Sequence, residues 1–590
     1  MNEKGKRFLS CSPFFDKIIK LLKHMFSISY LISQYKIRII DEPMQINKKI
    51  ITTIVFLFFF PMLISALPNF YDDEEPSILA EKIANAMTEE ELLSQIFMFG
   101  WKGENPDNLL FDWIEKRGLG NIKVFGWNTK DSTKLASAIE ALQKRALNGR
   151  FNIPLFVATD QEGGLVRHVK GLAMHTPGNL ALGASSTCHD AYMTGYYVSM
   201  ELRALGINMN FAPAVDLYTN YNSSVIGIRS FGESPEAVAK LAVAFMKGAR
   251  NAGVLSTAKH FPGHGDTQYD SHGRLPRITA SKETLVNREL IPFQALIDAK
   301  IPTIMTAHIN FSSLSEQGEP ATFSKYILMN LLRDELGFNG IIITDDIMMN
   351  GATSYVGGLA IAVQKAIEAG NNIIESSRTP FLNEDVWKNN VKLMKENEDF
   401  YLCVKNSVKK VLMLKLKYFK SNNHVPIFPD VKAINQTLPN QKAEEFFVGM
   451  AARSITIVRG KAPFYQEASN DRLMIVSSTP QFLETGKQRF PKARTSNLLN
   501  CIENAKTADT IIFCLEDMAS LSMLQSITSI FQKKKYIVIS VMSPIYLQYI
   551  PDVENVIAVY SNSPFSFLAA FSAIAGDFIP RGKMPLRKIK

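Results

Sequence analysis

Three of the nine histidines in this 590-residue chain fall within thirteen residues, in Lys259-His260-Phe261-Pro262-Gly263-His264-Gly265 and on to Asp270-Ser271-His272. Proline and glycine interrupt the run, so it reads as a loop and not as one face of a helix. A loop that is simply polar is the plainest reading. A metal site is a second, because imidazoles and carboxylates are zinc ligands. The spacings His-x3-His and His-x7-His on a broken backbone, with no glutamate in the usual metallohydrolase position, argue against it, and no metal is expected. The third reading rests on Asp270-x-His272. On extended chain, residues two apart project to the same side, so the carboxylate can take the imidazole N–H and fix its tautomer. Such a pair makes the imidazole a general acid/base near neutral pH. It needs a nucleophile across the pocket, and Asp345 is placed to be one.

The elements that must position these groups alternate along the chain. Strands are predicted at Ile96–Phe99, Ile122–Phe125, Leu155–Ala158, Met209–Ala212, Val254–Ala258, Thr303–Thr306, Ile341–Thr344 and Asn372–Ile374. Amphipathic helical stretches lie between them, among them Lys134–Ala146, Glu236–Asn251, Lys282–Ala299 and Gly358–Ala369. That alternation predicts an α/β fold, a (β/α)8 TIM barrel, over residues 76–420. A helix-rich passage, Val386–Tyr418, leads to the polar, proline-punctuated segment Ser421-Asn-Asn-His-Val-Pro-Ile-Phe-Pro429, read as a linker over 421–443. Further short strands at Ser454–Val458, Leu473–Ser477, Thr510–Cys514, Tyr536–Val541 and Val556–Tyr560 predict a smaller α/β layered domain over 444–590. Gly163-Gly164 lacks the spacing of a phosphate-binding turn.

A barrel of this kind gathers its active site at the C-terminal ends of its strands. The residues just past the predicted strands are Asp160, Asp216, Lys259-His260, His308 and Asp345-Asp346, all ionisable. Each alone has a dull explanation, since aspartate caps helices and histidine satisfies local backbone groups. Together they predict a polar pocket.

Bulk properties exclude other classes. The first 50 residues hold ten lysines and arginines against four acids, so most of the formal charge of +9 sits there. No basic face remains to argue for nucleic-acid binding. The five cysteines, Cys11, Cys188, Cys403, Cys501 and Cys514, are widely spaced, which argues against a disulfide scaffold and favours buried free thiols. Lys48-Lys49, the apolar run Ile50–Leu67, small residues at Ser65-Ala66 and the acidic Asp72–Glu75 read together as an export signal. The run is also long enough to stay uncleaved as a membrane anchor. Residues 1–75 are therefore expected to form an N-terminal extension. The protein is expected to be exported, whether periplasmic, extracellular or membrane-anchored. Met44 stands where a signal of ordinary length would begin.

These residues resemble glycoside hydrolase family 3, in particular its bacterial β-N-acetylglucosaminidase branch. The resemblance is an ordered series: Asp160-Gln-Glu-Gly-Gly164, Phe211-Ala-Pro…Asp216, Ile228-Arg229-Ser-Phe-Gly232, Lys259-His260-Phe-Pro-Gly-His-Gly265…Asp270-Ser-His272 and Thr344-Asp345-Asp346. Ser563-Pro…Gly582-Lys-Met-Pro585 resembles the end of the second domain of longer members. The resemblance implies a retaining exo-glycosidase acting on terminal N-acetylglucosamine of cell-wall or chitin-like oligosaccharides, with no cofactor. It implies Asp345 as nucleophile and His272, oriented by Asp270, as acid/base. It implies Asp160 holding sugar hydroxyls, and Arg229, Lys259 and His260 binding the sugar and its N-acetyl group. Two departures stand out. The family's arginine eight residues after Asp160 is His168 here, which Arg167 adjoins and could replace. The eighth strand, which normally ends near an aspartate, reads Asn371-Asn372-Ile-Ile-Glu375. The second domain is also shorter than in many members, and nothing in the sequence brings it to the site.

Two rival functions remain at this level. A neutral imidazole acid/base repels phosphate less than a carboxylate does, so phosphorolysis on the same scaffold is one. A non-catalytic wall-binding module is the other, and the joint presence of Asp270, His272 and Asp345 argues against it.

Overall fold

The computed structural model describes residues 67–589 except 224, 268–272, 274, 316 and 467–470. Within them, short branched and aromatic runs form eight parallel strands: β1 (Phe97–Gly100), β2 (Asn121–Val124), β3 (Phe156–Thr159), β4 (Met209–Asn210), β5 (Leu255–Phe261), β6 (Thr303–Thr306), β7 (Ile341–Thr344) and β8 (Ile374–Ser376). They pair in chain order, with β8 beside β1. A parallel bridge between Ile343 and Ile373 brings β7 to the start of β8 and closes the ring. Every residue of β1, β2, β3, β6 and β7 is buried. Burial on both faces is why these strands read as continuous apolar runs instead of alternating ones. The α/β fold with a barrel and a following domain is thus as the sequence predicts, and all eight expected strands overlap an observed one.

The helices start where side chains can satisfy their first free N–H groups. Asp131 accepts from Thr133 and Lys134 at the start of Ser132–Leu147, and Ser234 accepts from Ala237 ahead of Pro235–Asn251. One expectation is corrected. The helix predicted over Lys282–Ala299 is broken into Lys282–Asn287 and Leu290–Asp298. Between them Arg288 turns away to bond Asp266 at 3.0 Å and Glu289 at 2.7 Å. The passage Val386–Tyr418 is helix-rich as expected, with two helices, Asp385–Glu396 and Glu398–Phe419, separated by Asn397, whose side chain caps the second.

From helix Gln441–Ser454 the chain builds a six-stranded sheet: β9 (Thr456–Arg459), β10 (Leu473–Val476), β11 (Arg494–Ser496), β12 (Thr510–Leu515), β13 (Lys535–Ser540) and β14 (Asn555–Ala558), in the order β9-β14-β13-β12-β10-β11. Only β9 runs antiparallel to its neighbour. The strands alternate between two cores: Ile511, Phe513 and Val538 enter one, Ile512, Cys514 and Ile539 the other. That is the two-residue period of a sheet covered on both faces. Strand β11 was not expected, because Arg494-Thr495 lie exposed and leave no apolar run to read.

Cys188, Cys403, Cys501 and Cys514 are free thiols; Cys501 and Cys514 are buried as expected, whereas Cys188 is exposed and Cys403 half-buried. Among the described residues no helix is long and apolar enough to cross a membrane. The apolar run, up to Ala66, and Cys11 lie outside the described residues.

Candidate active site

Strand β5 carries two adjacent functional side chains, which a regular strand would send to opposite faces. Its pairing with β6 slips between Ala258, opposite Ile304, and Phe261, opposite Thr306. The extra residue is a bulge, and it lets Lys259 and His260 both reach the cluster at the strand ends.

Lys259 is 2% exposed and donates to Asp160 Oδ1 at 2.5 Å, with Glu162 Oε1 at 2.7 Å. Arg229, from a short helical turn after β4, forks onto Glu162 through Nε at 3.0 Å and Nη2 at 2.7 Å. Asp160 and Glu162 follow β3 directly. Burial would push both carboxyls up, but the paired cations hold Asp160 well below its ordinary range and Glu162 below it. Removing one partner of such a buried pair strands a charge, at a cost on the order of 3–5 kcal/mol, whereas the intact pair adds little net stability. The arrangement therefore makes more sense as ligand recognition than as reinforcement of the fold.

His260 is oriented by Asp216, at the end of the segment that follows β4. Its ring Nδ1 lies 2.7 Å from Asp216 Oδ2. A carboxylate only accepts, so Nδ1 carries a hydrogen and Nε2 faces the pocket. The same aspartate accepts from the backbone N–H groups of His260, at 3.2 Å, and His264, at 2.6 Å. Asp216 thus fixes both the imidazole and the first turn of the histidine loop. The sequence reading put Asp216 at a strand end without giving it a role. His264 bonds within the loop to Thr267 at 2.7 Å and is fully buried, with burial lowering its basicity to about 4, which suits a structural part.

Asp345 stands at the end of β7 with 19% of its side chain exposed, more than Asp160, Glu162, Asp216 or Glu375. Its Oδ2 lies 4.0 Å from His260 Nε2, and its Oδ1 accepts from the Asp346 N–H at 2.8 Å. Burial opposes ionisation, but the attraction of His260, His308 and Lys123 wins and brings its pKa down to about 2. His308, from the end of β6, holds the turn after Asp345: its ring contacts Asp346 O at 3.0 Å and Thr322 Oγ1 at 2.8 Å.

At the two departures from the family pattern, His168 lies 3.7 Å from Asp160 Oδ2, with its basicity lowered chiefly by burial. Arg167 is half-buried in a short ribbon paired with Gln161, and its charge acts on His175. Glu375 on β8 is fully buried, with both carboxylate oxygens lacking a hydrogen-bond donor. The residue sequence reasoning missed is Lys123, midway along β2, whose ammonium lies 3.0 Å from Asp160 Oδ2 and 3.3 Å from Glu375 Oε1. A lysine inside the apolar run Ile122-Lys-Val-Phe125, which a buried strand has no reason to contain, was the available signal.

Asp270 and His272 lie outside the described residues. The stem of their loop is described, and it is tied down. Asp266 pairs with Arg288 at 3.0 Å, and Gly265 packs on the backbone of Leu217. A Cβ on Gly265 would come within 1.7 Å of Leu217 O and 2.7 Å of Leu217 C. Gly265→Ala is therefore expected to push the loop away from Asp216, costing about 1–3 kcal/mol of stability and at least tenfold in activity, read by a thermal melt and kcat/KM. Next to Leu217, Tyr218 Oη bonds Ser543 Oγ of the second domain at 2.7 Å. The C-terminal tail adds Lys583 N to Ala184 O at 2.8 Å and Arg587 N to Glu233 Oε1 at 2.8 Å. The second domain therefore buttresses the segment that carries Asp216 and Arg229, an outcome the sequence did not show.

A closed parallel barrel whose strand ends gather ionised carboxylates and neutralising cations is the layout of a barrel enzyme with a polar, hydroxyl-rich substrate. Residues 82–414 match the glycosyl hydrolase family 3 N terminal domain. The chain belongs to glycoside hydrolase family 3 and is a glycosidase acting on O-glycosyl bonds. It is 41% identical over 261 residues to beta-hexosaminidase A of Pseudoalteromonas piscicida, a match spanning 42% of this chain and 44% of that protein. It is 39% identical over 259 residues to the beta-hexosaminidase of Tolumonas auensis, spanning 43% of this chain and 75% of that one. Among solved structures, a family 3 beta-N-acetylglucosaminidase from Paenibacillus superposes with a TM-score of 0.76 at 26% identity, covering 85% of this chain and all of that one.

Proposed function

We propose that this chain is a retaining exo-β-N-acetylglucosaminidase that releases terminal N-acetylglucosamine from cell-wall fragments or chitin-like oligosaccharides. The observation that carries the reading is Asp345: ionised, more accessible than Asp160, Glu162, Asp216 or Glu375, and 4.0 Å from an imidazole that Asp216 holds in place. The hexosaminidase names of the relatives agree with it. Asp345 attacks the anomeric carbon while His272, oriented by Asp270, gives its proton to the departing oxygen. The bond to the leaving sugar breaks as the bond to Asp345 forms. His272 then takes a proton from water, which displaces Asp345 and restores the configuration. Asp160 accepts from sugar hydroxyls, Lys259 and Arg229 donate to the sugar and its N-acetyl group, and His260 contacts them through Nε2, with His168 and Arg167 at the edge. The basic–apolar–acidic order of residues 48–75 supports export, and with it an activity outside the cytoplasm.

Phosphorolysis gains nothing from the geometry. Lys259 is committed to Asp160 and Glu162, Arg229 to Glu162, and Lys123 to Asp160 and Glu375, so each of these cations already has a partner within the protein. Proton NMR of turnover on an aryl N-acetyl-β-glucosaminide should show the β-anomer forming first, at a rate unchanged by phosphate. First appearance of the α-anomer of the free sugar would overturn retention, and sugar 1-phosphate would reassign the enzyme to phosphorolysis.

A further inference from the structure

Neither the histidine loop nor the segment after β4 supplies Lys123, and the reaction scheme above gives it no task. It lies on β2 with 5% of its side chain exposed, so it meets Asp160 from beneath and not from the pocket. The two oxygens of Asp160 are divided between two lysines: Oδ1 takes Lys259 at 2.5 Å and Oδ2 takes Lys123 at 3.0 Å. Rings of Phe125 and Phe211 wall the Lys123 ammonium at 4.6 and 5.0 Å from their centroids and shut it off from water. His168 approaches the same Oδ2 but stays 3.7 Å away without bonding it.

We propose that Lys123 is a positioning residue for Asp160: by occupying one lone pair of Oδ2 from below, it turns the remaining acceptor sites of the carboxylate toward the pocket, where two hydroxyls of the terminal sugar donate to them. A carboxylate oxygen accepts more than one hydrogen bond, so Lys123 and Lys259 each leave a site open. With the charge opposed by two ammoniums Asp160 stays ionised and cannot itself donate, so ligands that offer hydroxyls are selected. Glu375 completes the device. Fully buried 3.3 Å from Lys123, it flanks the ammonium from β8, and burial holds its own carboxyl well above the ordinary range, so Asp160 receives most of the positive charge. Lys123 also supplies at this oxygen the charge that His168 does not, since burial lowers the basicity of that imidazole.

The inference rests on the proposed role of Asp160 in holding sugar, and the experiment separates the two. Lys123→Met keeps length and volume while removing the charge, and should raise KM for an aryl N-acetyl-β-glucosaminide by about tenfold or more with kcat changed by less than about threefold. Lys123→Met with Glu375→Met removes the buried acid as well, and should recover thermal stability without recovering KM. Lys123→Met with His168→Arg should return a cation to Oδ2 and bring KM most of the way back. An unchanged KM in Lys123→Met, or a KM that returns together with the melting temperature in the Glu375 double variant, overturns the positioning role. An unaltered protein that neither turns over this substrate nor binds N-acetylglucosamine overturns the glycosidase reading and this inference together.

Discussion

Asp345→Asn should lower kcat on a chromogenic N-acetyl-β-glucosaminide by at least about a thousandfold, in the range expected when a covalent nucleophile is lost. The amide keeps the shape of the carboxylate and can still accept from the Asp346 N–H at Oδ1, so the turn held by His308 should survive. The fold should survive as well, because this carboxylate is 19% exposed and, among the described residues, lies 4.0 Å from His260 Nε2, unlike the close pairs around Lys259. The loss must therefore appear in kcat with KM little changed. An unaltered rate would remove Asp345 from the chemistry. The pH dependence sharpens the test. Asp345 has a pKa of about 2 in the folded protein against about 3.9 for a free aspartate, so it is ionised at any working pH. A depressed carboxyl contributes stability that is complete above its unfolded pKa and lost as pH falls through about 2. An acid limb in the rate near pH 5 or 6 would then have to come from another group.

How much of this was legible beforehand depends on how local each signal is. The barrel was legible because short branched or aromatic runs alternate with helical stretches, and strand end plus one is where a barrel places its chemistry. That rule found Asp160, Lys259, His260 and Asp345. It gave Asp216 no role, although that carboxylate bonds the His260 ring and the N–H of His264, contacts 44 and 48 residues away in the chain. It missed Lys123 altogether, because a lysine in the middle of a strand gains meaning only from Asp160 and Glu375 on β3 and β8, at separations no periodicity reveals. The bulge in β5 was invisible for the same reason: an extra residue is defined only against the partner strand β6. The break at Arg288 was hidden because the helical pattern continues through it. The contact of Ser543 with Tyr218 joins residues 325 apart, so the buttressing of the site by the second domain could be known only from the folded chain.

His272→Ala should divide substrates by their leaving groups. In the first step the departing oxygen needs a proton in proportion to its basicity. A nitrophenolate leaves nearly unaided, whereas the alkoxide of a sugar hardly leaves without an acid. The variant should therefore lose about tenfold or less in kcat/KM on a nitrophenyl glycoside and about a thousandfold or more on an N-acetylglucosamine disaccharide, the upper part of the range for a lost general acid. The second step needs the same residue as a base toward water, so on the nitrophenyl substrate kcat and KM should fall together as the glycosyl-enzyme accumulates. Azide, a nucleophile that needs no base, should then restore turnover of the nitrophenyl substrate and leave the disaccharide slow. Asp270→Asn should follow the same order with smaller losses, because the imidazole remains but its tautomer is no longer held. The geometry of the stem supports this division. Asp216 and Arg288 tie down His264 and Asp266 at the entry to the loop, while His260, the other imidazole near Asp345, is already occupied by Asp216 and lies only 4.0 Å from the nucleophile. That is closer than the roughly 5–5.5 Å at which a retaining enzyme sets its acid/base from its nucleophile. Equal losses on the two substrates, or no effect of azide, would take the acid/base role from His272 and hand it to the pair of Asp216 and His260.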